Sequence, residues 1–172
     1  MGAINHDLTQ IDTVIIASDR CLAADSLSIG HDGMPVCSAG MADINAIAMA
    51  LSAGLKVIIV DGCGCDGLCR CMSWAGVFSI VPKGNPDLSP VRQPQSVICL
   101  CGEADDMLMM RGQGLLCCPA DAAIDVRASA AYVSHCDAGS GCVRDVIEQI
   151  LRSQGKWEEC KRKLLEHKSH VG

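Results

Sequence analysis

The chain has 172 residues, a formal net charge of −6, and a composition that is 49% hydrophobic but only 2% aromatic. That length suits one domain with a sizeable core, and an acidic chain without Lys/Arg clusters interleaved with aromatics excludes a nucleic-acid-binding class. Core volume must come from Leu, Ile, Val, Ala, Met and Cys, a set that leans on small and adaptable side chains.

Residues 1–12 read as a polar lead-in. Met1-Gly2-Ala3-Ile4-Asn5-His6 carries neither the basic head nor the apolar run of a signal peptide, and His6 in place of Ser/Thr disfavours myristoylation of Gly2. No apolar run approaches the roughly 18–20 residues that cross a bilayer, so no direct membrane insertion is expected. Thirteen Cys is an odd count, and several stand inside strand-like runs. Reduced thiols in a cytoplasmic or other reducing compartment follow, most of them acting as small core residues.

The α/β domain is expected over 13–155. Val14-Ile15-Ile16 is a short β-branched run of the kind buried on both faces of a parallel sheet. Leu27-Ser28-Ile29 and Pro35-Val36-Cys37 flank His31-Asp32-Gly33, a hairpin signal. Asp43 is placed to cap a helix over 44–52, closed by Gly54. Lys56 to Val60 is a second apolar strand ending in Asp61-Gly62, and Val77 to Val81 a short third. Ser96 to Cys101 is another strand, ending in Gly102-Glu103-Ala104-Asp105-Asp106. A Met-rich helix over 105–111, a strand over 115–117, a helix over 122–128 and a strand over 131–134 follow. Gly141-Cys142 opens a helix with apolar positions 143, 146, 147, 150 and 151. Residues 156–172 form a C-terminal helical extension or tail, where Lys161-Arg162-Lys163 reads as a solvated face.

Strand ends carrying Asp or Glu gather where open α/β sheets bind ligands. Their spacing resembles the haloacid dehalogenase superfamily, specifically the small tetrameric branch of 3-deoxy-D-manno-octulosonate 8-phosphate phosphatases and the C-terminal domain of CMP-sialic acid synthetase. The resemblance rests on Ala17-Ser18-Asp19-Arg20-Cys21, Gly30-His31-Asp32-Gly33, Asp43, Pro119-Ala120-Asp121-Ala122, Ala130-Ala131-Tyr132-Val133 and Gly139-Ser140-Gly141-Cys142-Val143-Arg144. It implies a three-layer Rossmann-like parallel sheet with a protruding β-hairpin flap. It also implies oligomerisation through Leu27, Ile29, His31 and Val36 of the flap and through Gly139, Gly141 and Arg144.

The landmarks of catalysis depart from the family's pattern. Ala17 stands at the position of the nucleophilic Asp, Arg20 replaces a Gly, and the phosphoryl-binding Ser/Thr falls on Val60. The Ser-Asp-Lys segment is missing from the shortened stretch between Pro82 and Gln95. Phosphoryl transfer of this kind needs a carboxylate nucleophile, a Mg²⁺ and cations around the equatorial oxygens. No catalytic residue is therefore expected, with Asp19 remaining at the general acid/base position. Asp19, Asp61, Glu103, Asp105 and Asp106 could gather around a divalent ion, with Asp19, Glu103 and Asp105 the weak metal candidates, and Mg²⁺ is the cofactor if that site functions; otherwise none is expected. Arg20 is placed to bridge to Glu103 or Asp105.

Cys63, Cys65, Cys69 and Cys71 form a local cluster that could close around Zn²⁺ or iron–sulfur. Structural zinc sites favour Cys-x2-Cys over the Cys-x-Cys spacing found here, so an unoccupied loop is the competing reading. Beside the weaker reading of a Cys-rich metal or redox module, two functions stay open. One is a catalytically degenerate subunit serving as a structural partner, in a homo-oligomer or a larger complex. The other is a Mg²⁺-dependent sugar-phosphate phosphatase.

Overall fold

The computed structural model describes residues 2–24, 28–62, 70, 72–73, 76–77, 79–84, 86–88, 91 and 93–169, with the side chains of 35 and 167–169 excepted. In chain order the elements are β1 (Thr13–Ala17), β2 (Ser28–Ile29), β3 (Pro35–Val36), α1 (Met41–Ser52), β4 (Lys56–Asp61), β5 (Ser79–Pro82) and β6 (Val97–Leu100). Then come α2 (Ala104–Met109), β7 (Leu115–Cys118), α3 (Ile124–Ser129), β8 (Tyr132–Val133), α4 (Cys142–Ser153) and α5 (Trp157–Ser169). Six strands make a parallel sheet in the order β5-β4-β1-β6-β7-β8. The winding reverses at β1, and the crevice of such a sheet opens at the C-terminal strand ends beside that reversal.

Alternation along the central strands explains the layers. Val14, Ile16, Val57 and Ile59 join one buried cluster with Ile47 of α1 and Val146, Ile147 and Ile150 of α4. Ile15, Ala17, Ile58, Val60 and Cys99 face the other way, toward Met110, Ala122 and Val126 on the side of α2 and α3. Successive side chains point to opposite faces, so a run apolar at every position needs cover on both. The result is the expected three-layer Rossmann-like architecture.

Several local expectations change. The lead-in is not a solvated arm: Ile4, Leu8 and Ile11 are buried in the cluster that also holds Trp157 and Cys160. The Ile4 N–H donates to Gln149 Oε1 at 2.8 Å, and Gln154 Nε2 donates to the carbonyl of Ile11 at 2.7 Å. α1 begins at Met41 after Gly40, so Asp43 does not cap its own helix. Its carboxylate instead accepts the N–H groups of Gly141 and Arg144, at 3.0 and 2.8 Å, across to the first turn of α4. The short strand after β4 starts at Ser79 rather than Val77. Gly155, at φ 68°, separates α4 from α5.

Cys37 is disulfide-bonded, a departure from the expectation of uniformly reduced thiols. The thiols of Cys21, Cys99, Cys101, Cys117, Cys118, Cys136, Cys142 and Cys160 are free. Among the described residues no helix is long and apolar enough to cross a membrane.

The flap is a two-stranded antiparallel ribbon pairing Ser28 with Val36 and Ile29 with Pro35. Its turn is tied by the Gly30 N–H donating to the Met34 carbonyl at 2.8 Å, with Gly33 at φ 76°. Ile29, Met34 and Val36 are exposed. Buried Asp145 accepts hydrogen bonds from Tyr132 and Ser134, each at 2.7 Å, joining β8 to α4.

Candidate functional site

Parallel strands deliver their following residues to one edge. Ser18, Asp19 and Arg20 follow β1; Asp61 ends β4 with Gly62 behind it; Lys83 follows β5; Glu103, Asp105 and Asp106 follow β6. Asp61 pairs with Pro82 across β4 and β5, and the Lys83 N–H donates to the Asp61 carbonyl at 2.9 Å. That register carries the Lys83 side chain over Gly62 into the crevice.

The centre of the crevice is an ammonium. Lys83 Nζ lies 3.0 Å from Asp19 Oδ2, 3.1 Å from Asp105 Oδ2 and 3.1 Å from Asp106 Oδ1. An ammonium has three N–H donors, enough for one carboxylate each. Burial alone would lower the basicity of Lys83, but its hydrogen bonds to Asp19, Asp105 and Asp106 outweigh that and raise it above the ordinary lysine range. Asp106 is fully buried, and desolvation lifts its carboxyl to about 6 despite the pull of Lys83. Burial works the same way on Asp105, but there Lys83 prevails and the exposed carboxyl falls below its usual range.

Ser18 braces Asp19 from behind. Its hydroxyl donates to Asp19 Oδ1 at 2.9 Å, lies 3.3 Å from Asp61 Oδ1, and accepts the Gly62 N–H at 3.0 Å. Both oxygens of Asp19 thus face donors. Ala17 contributes only a buried methyl group to the apolar cluster beneath.

Arg20 bridges to Glu103 as expected, with Nη1 2.7 Å from Oε1, and its Nη2 donates to the Asp121 carbonyl at 2.6 Å. It sits at φ 48°, the left-handed region that suits the Gly it replaces. Asp121 holds the next loop in place by accepting the Ala138 N–H at 2.9 Å.

The predicted candidates therefore separate into groups. Asp19 and Asp105 converge, while Glu103 is turned to Arg20 and away from the cluster. Asp106, one of the acidic residues expected to gather there, is the buried member. Lys83 was missed altogether, although its place directly after a strand parallel to β4 is a signal for the crevice. Cys63, Cys65, Cys69, Cys71 and Leu27 lie outside the described residues. Ile29, His31 and Val36 are exposed on the flap, and Arg144 is exposed at the start of α4. Gly139 and Gly141 serve the chain's own interior. The Gly139 N–H donates to the Cys21 carbonyl at 2.8 Å, and Gly141 is buried against Asp43.

The donor set does not fit a divalent ion in this arrangement. Mg²⁺ binds oxygens at about 2.0–2.1 Å, and here the carboxylates stand around a nitrogen at hydrogen-bonding distance. Among the described residues no three His, Cys, Asp or Glu side chains are placed to hold a metal.

Solved structures align over nearly the whole chain. A 3-deoxy-D-manno-octulosonate 8-phosphate phosphatase from Yersinia pestis superposes with a TM-score of 0.79 at 23% identity, covering 88% of this chain and 86% of that one. A protein assigned to subfamily III A of the haloacid dehalogenase hydrolases, from Legionella pneumophila, gives 0.84 at 19%, covering 93% and 92%. The fold is that of the haloacid dehalogenase superfamily. A phosphatase of the same octulosonate type from Moraxella catarrhalis, solved with magnesium, phosphate and the sugar acid, gives 0.82 at 17%, covering 91% and 95%. No family model and no curated protein sequence matches this chain.

Proposed function

We propose that this chain is a haloacid-dehalogenase-fold protein that does not transfer phosphate by the aspartyl route and serves as a structural, self-associating subunit. The observation that carries the reading is Ala17, whose methyl occupies the end of β1 where the resemblance calls for an attacking carboxylate. Asp19 is a poor substitute, because Ser18 and Lys83 engage both of its oxygens. The exposed Ile29, Met34 and Val36 on the flap supply an apolar surface suited to a second copy or another protein. The test is native mass together with phosphate release. Wild type should be oligomeric, Ile29→Asp/Val36→Asp should lower its mass, and neither should release phosphate from sugar phosphates with or without Mg²⁺.

A second reading, a Mg²⁺-dependent sugar-phosphate phosphatase, is favoured by the likeness to octulosonate 8-phosphate phosphatases and by the convergence of Asp19, Asp105 and Asp106. It requires the ion to displace Lys83. Mg²⁺-dependent phosphate release from 3-deoxy-D-manno-octulosonate 8-phosphate by wild type, abolished in Asp19→Asn, would establish it and overturn the first.

A further inference from the structure

We infer that the ammonium of Lys83 is the resident cation of the crevice, an internal substitute for a divalent ion, and that the folded chain needs no metal there. Three features support it independently. The first is contact: Nζ meets Asp19, Asp105 and Asp106 at 3.0–3.1 Å, from the ends of two different strands. The second is access. Gly62 has no side chain, and a Cβ there would overlap the Asp19 carboxylate and lie 2.7 Å from Lys83 Cδ. The approach is therefore shaped around the lysine stem.

The third is charge. Consider the same crevice with an Asp at position 17 and a divalent ion in place of the ammonium. Replacing that Asp by alanine removes one negative charge, and replacing the ion by lysine removes one positive charge. The sum is unchanged. Ala17 and Lys83 are then complementary replacements: the ammonium offsets part of the charge of Asp19, Asp105 and Asp106, and the set has no carboxylate at position 17 to help hold an ion. The inference goes beyond the functional reading above, since it concerns what neutralises the carboxylates rather than whether phosphate is transferred.

The test reads stability, not turnover. Thermal midpoints of wild type and Lys83→Met are measured at neutral pH, with MgCl₂ or with NaCl of equal ionic strength. Wild type should not respond to Mg²⁺. Lys83→Met should melt lower in NaCl, and about ten-fold saturating Mg²⁺ should return about 3–6 °C. Calorimetric titration should show Mg²⁺ binding by the variant and none by wild type. Recovery of folded Lys83→Met only with Mg²⁺ supports the same conclusion. If it folds in neither salt, Lys83→Gln, which keeps a polar neutral side chain and all three carboxylates, takes its place with the same expectations. Stabilisation of wild type by Mg²⁺, or a lysine variant indifferent to it, overturns the inference. Phosphate release by a wild type that Mg²⁺ does not stabilise would instead overturn only the functional reading.

Discussion

Lys83 Nζ stands 3.1 Å from Asp106 Oδ1, and yet that carboxyl holds its proton to about pH 6. Burial of Asp106 outweighs its cation, while the more exposed Asp105 on the same ammonium is shifted the other way. The sign for stability follows. Asp106 binds its proton more tightly folded than unfolded, so its favourable contribution is full below the unfolded carboxyl's 3.8 and is lost as pH rises through about 6. Asp106→Asn should therefore gain on wild type between about pH 4 and about pH 8, by on the order of 2 kcal/mol. Asp43 is raised in the same sense by burial, so the difference between variant and wild type, not the wild-type slope, isolates Asp106. Urea denaturation across that range measures it, and parallel profiles would refute the assignment.

Asp43 carries a second prediction. It is fully buried on α1, and two backbone N–H groups at the start of α4 depend on it. Asp43→Ala should cost about 2–4 kcal/mol, more than a surface cap, because both donors are left without an acceptor in the interior. Asp43→Asn keeps one acceptor oxygen and should lie between. Denaturant midpoints at constant slope rank the three proteins.

The two crevice glycines should respond unequally to alanine. At Gly62 the added Cβ meets the Asp19 side chain, which can rotate; at Gly102 it meets the Arg20 backbone carbonyl, which cannot. Gly62→Ala should cost about 1 kcal/mol and Gly102→Ala about 2–4 kcal/mol. Equal losses would mean that the turn after β1 is softer than its contacts imply.

Arg20 combines an unfavourable backbone angle with two favourable contacts. Its ion pair with Glu103 is partly solvent-exposed, so a double-mutant cycle between Arg20→Ala and Glu103→Gln should give a coupling of about 0.5–1 kcal/mol. Arg20→Gly should be nearly neutral, since relief at φ 48° offsets the lost pair.

Much of the frame was legible before any coordinates. The β-branched runs at Val14–Ile16 and Lys56–Val60 announce central strands because nothing else buries both faces. The Arg20–Glu103 bridge was legible too, since a cation replaced Gly beside an acidic strand end. Lys83 was not. It lies in a Pro- and Gly-rich stretch with no periodicity, and only the pairing of β4 with β5 brings it over Gly62. Asp43 misled for a related reason: an acid near a helix start looks like a local cap, and only tertiary packing reveals that it serves a helix a hundred residues away. Ile4, Leu8 and Ile11 stand at i, i+4 and i+7, the spacing of one apolar face, a burial signal that the polar residues between them mask.

The sulfur-rich interior gives the molecule an intrinsic recorder. Burial pushes the Cys99 thiol up to about 12 and Cys118 to about 11, with Cys101 and Cys117 raised as well. Alkylating reagents attack thiolates, so these sites stay silent while the sheet is closed. Each excursion that wets a strand leaves a permanent mass tag at a known position. Peptide mapping after timed iodoacetamide exposure would then read out the order in which the strands open.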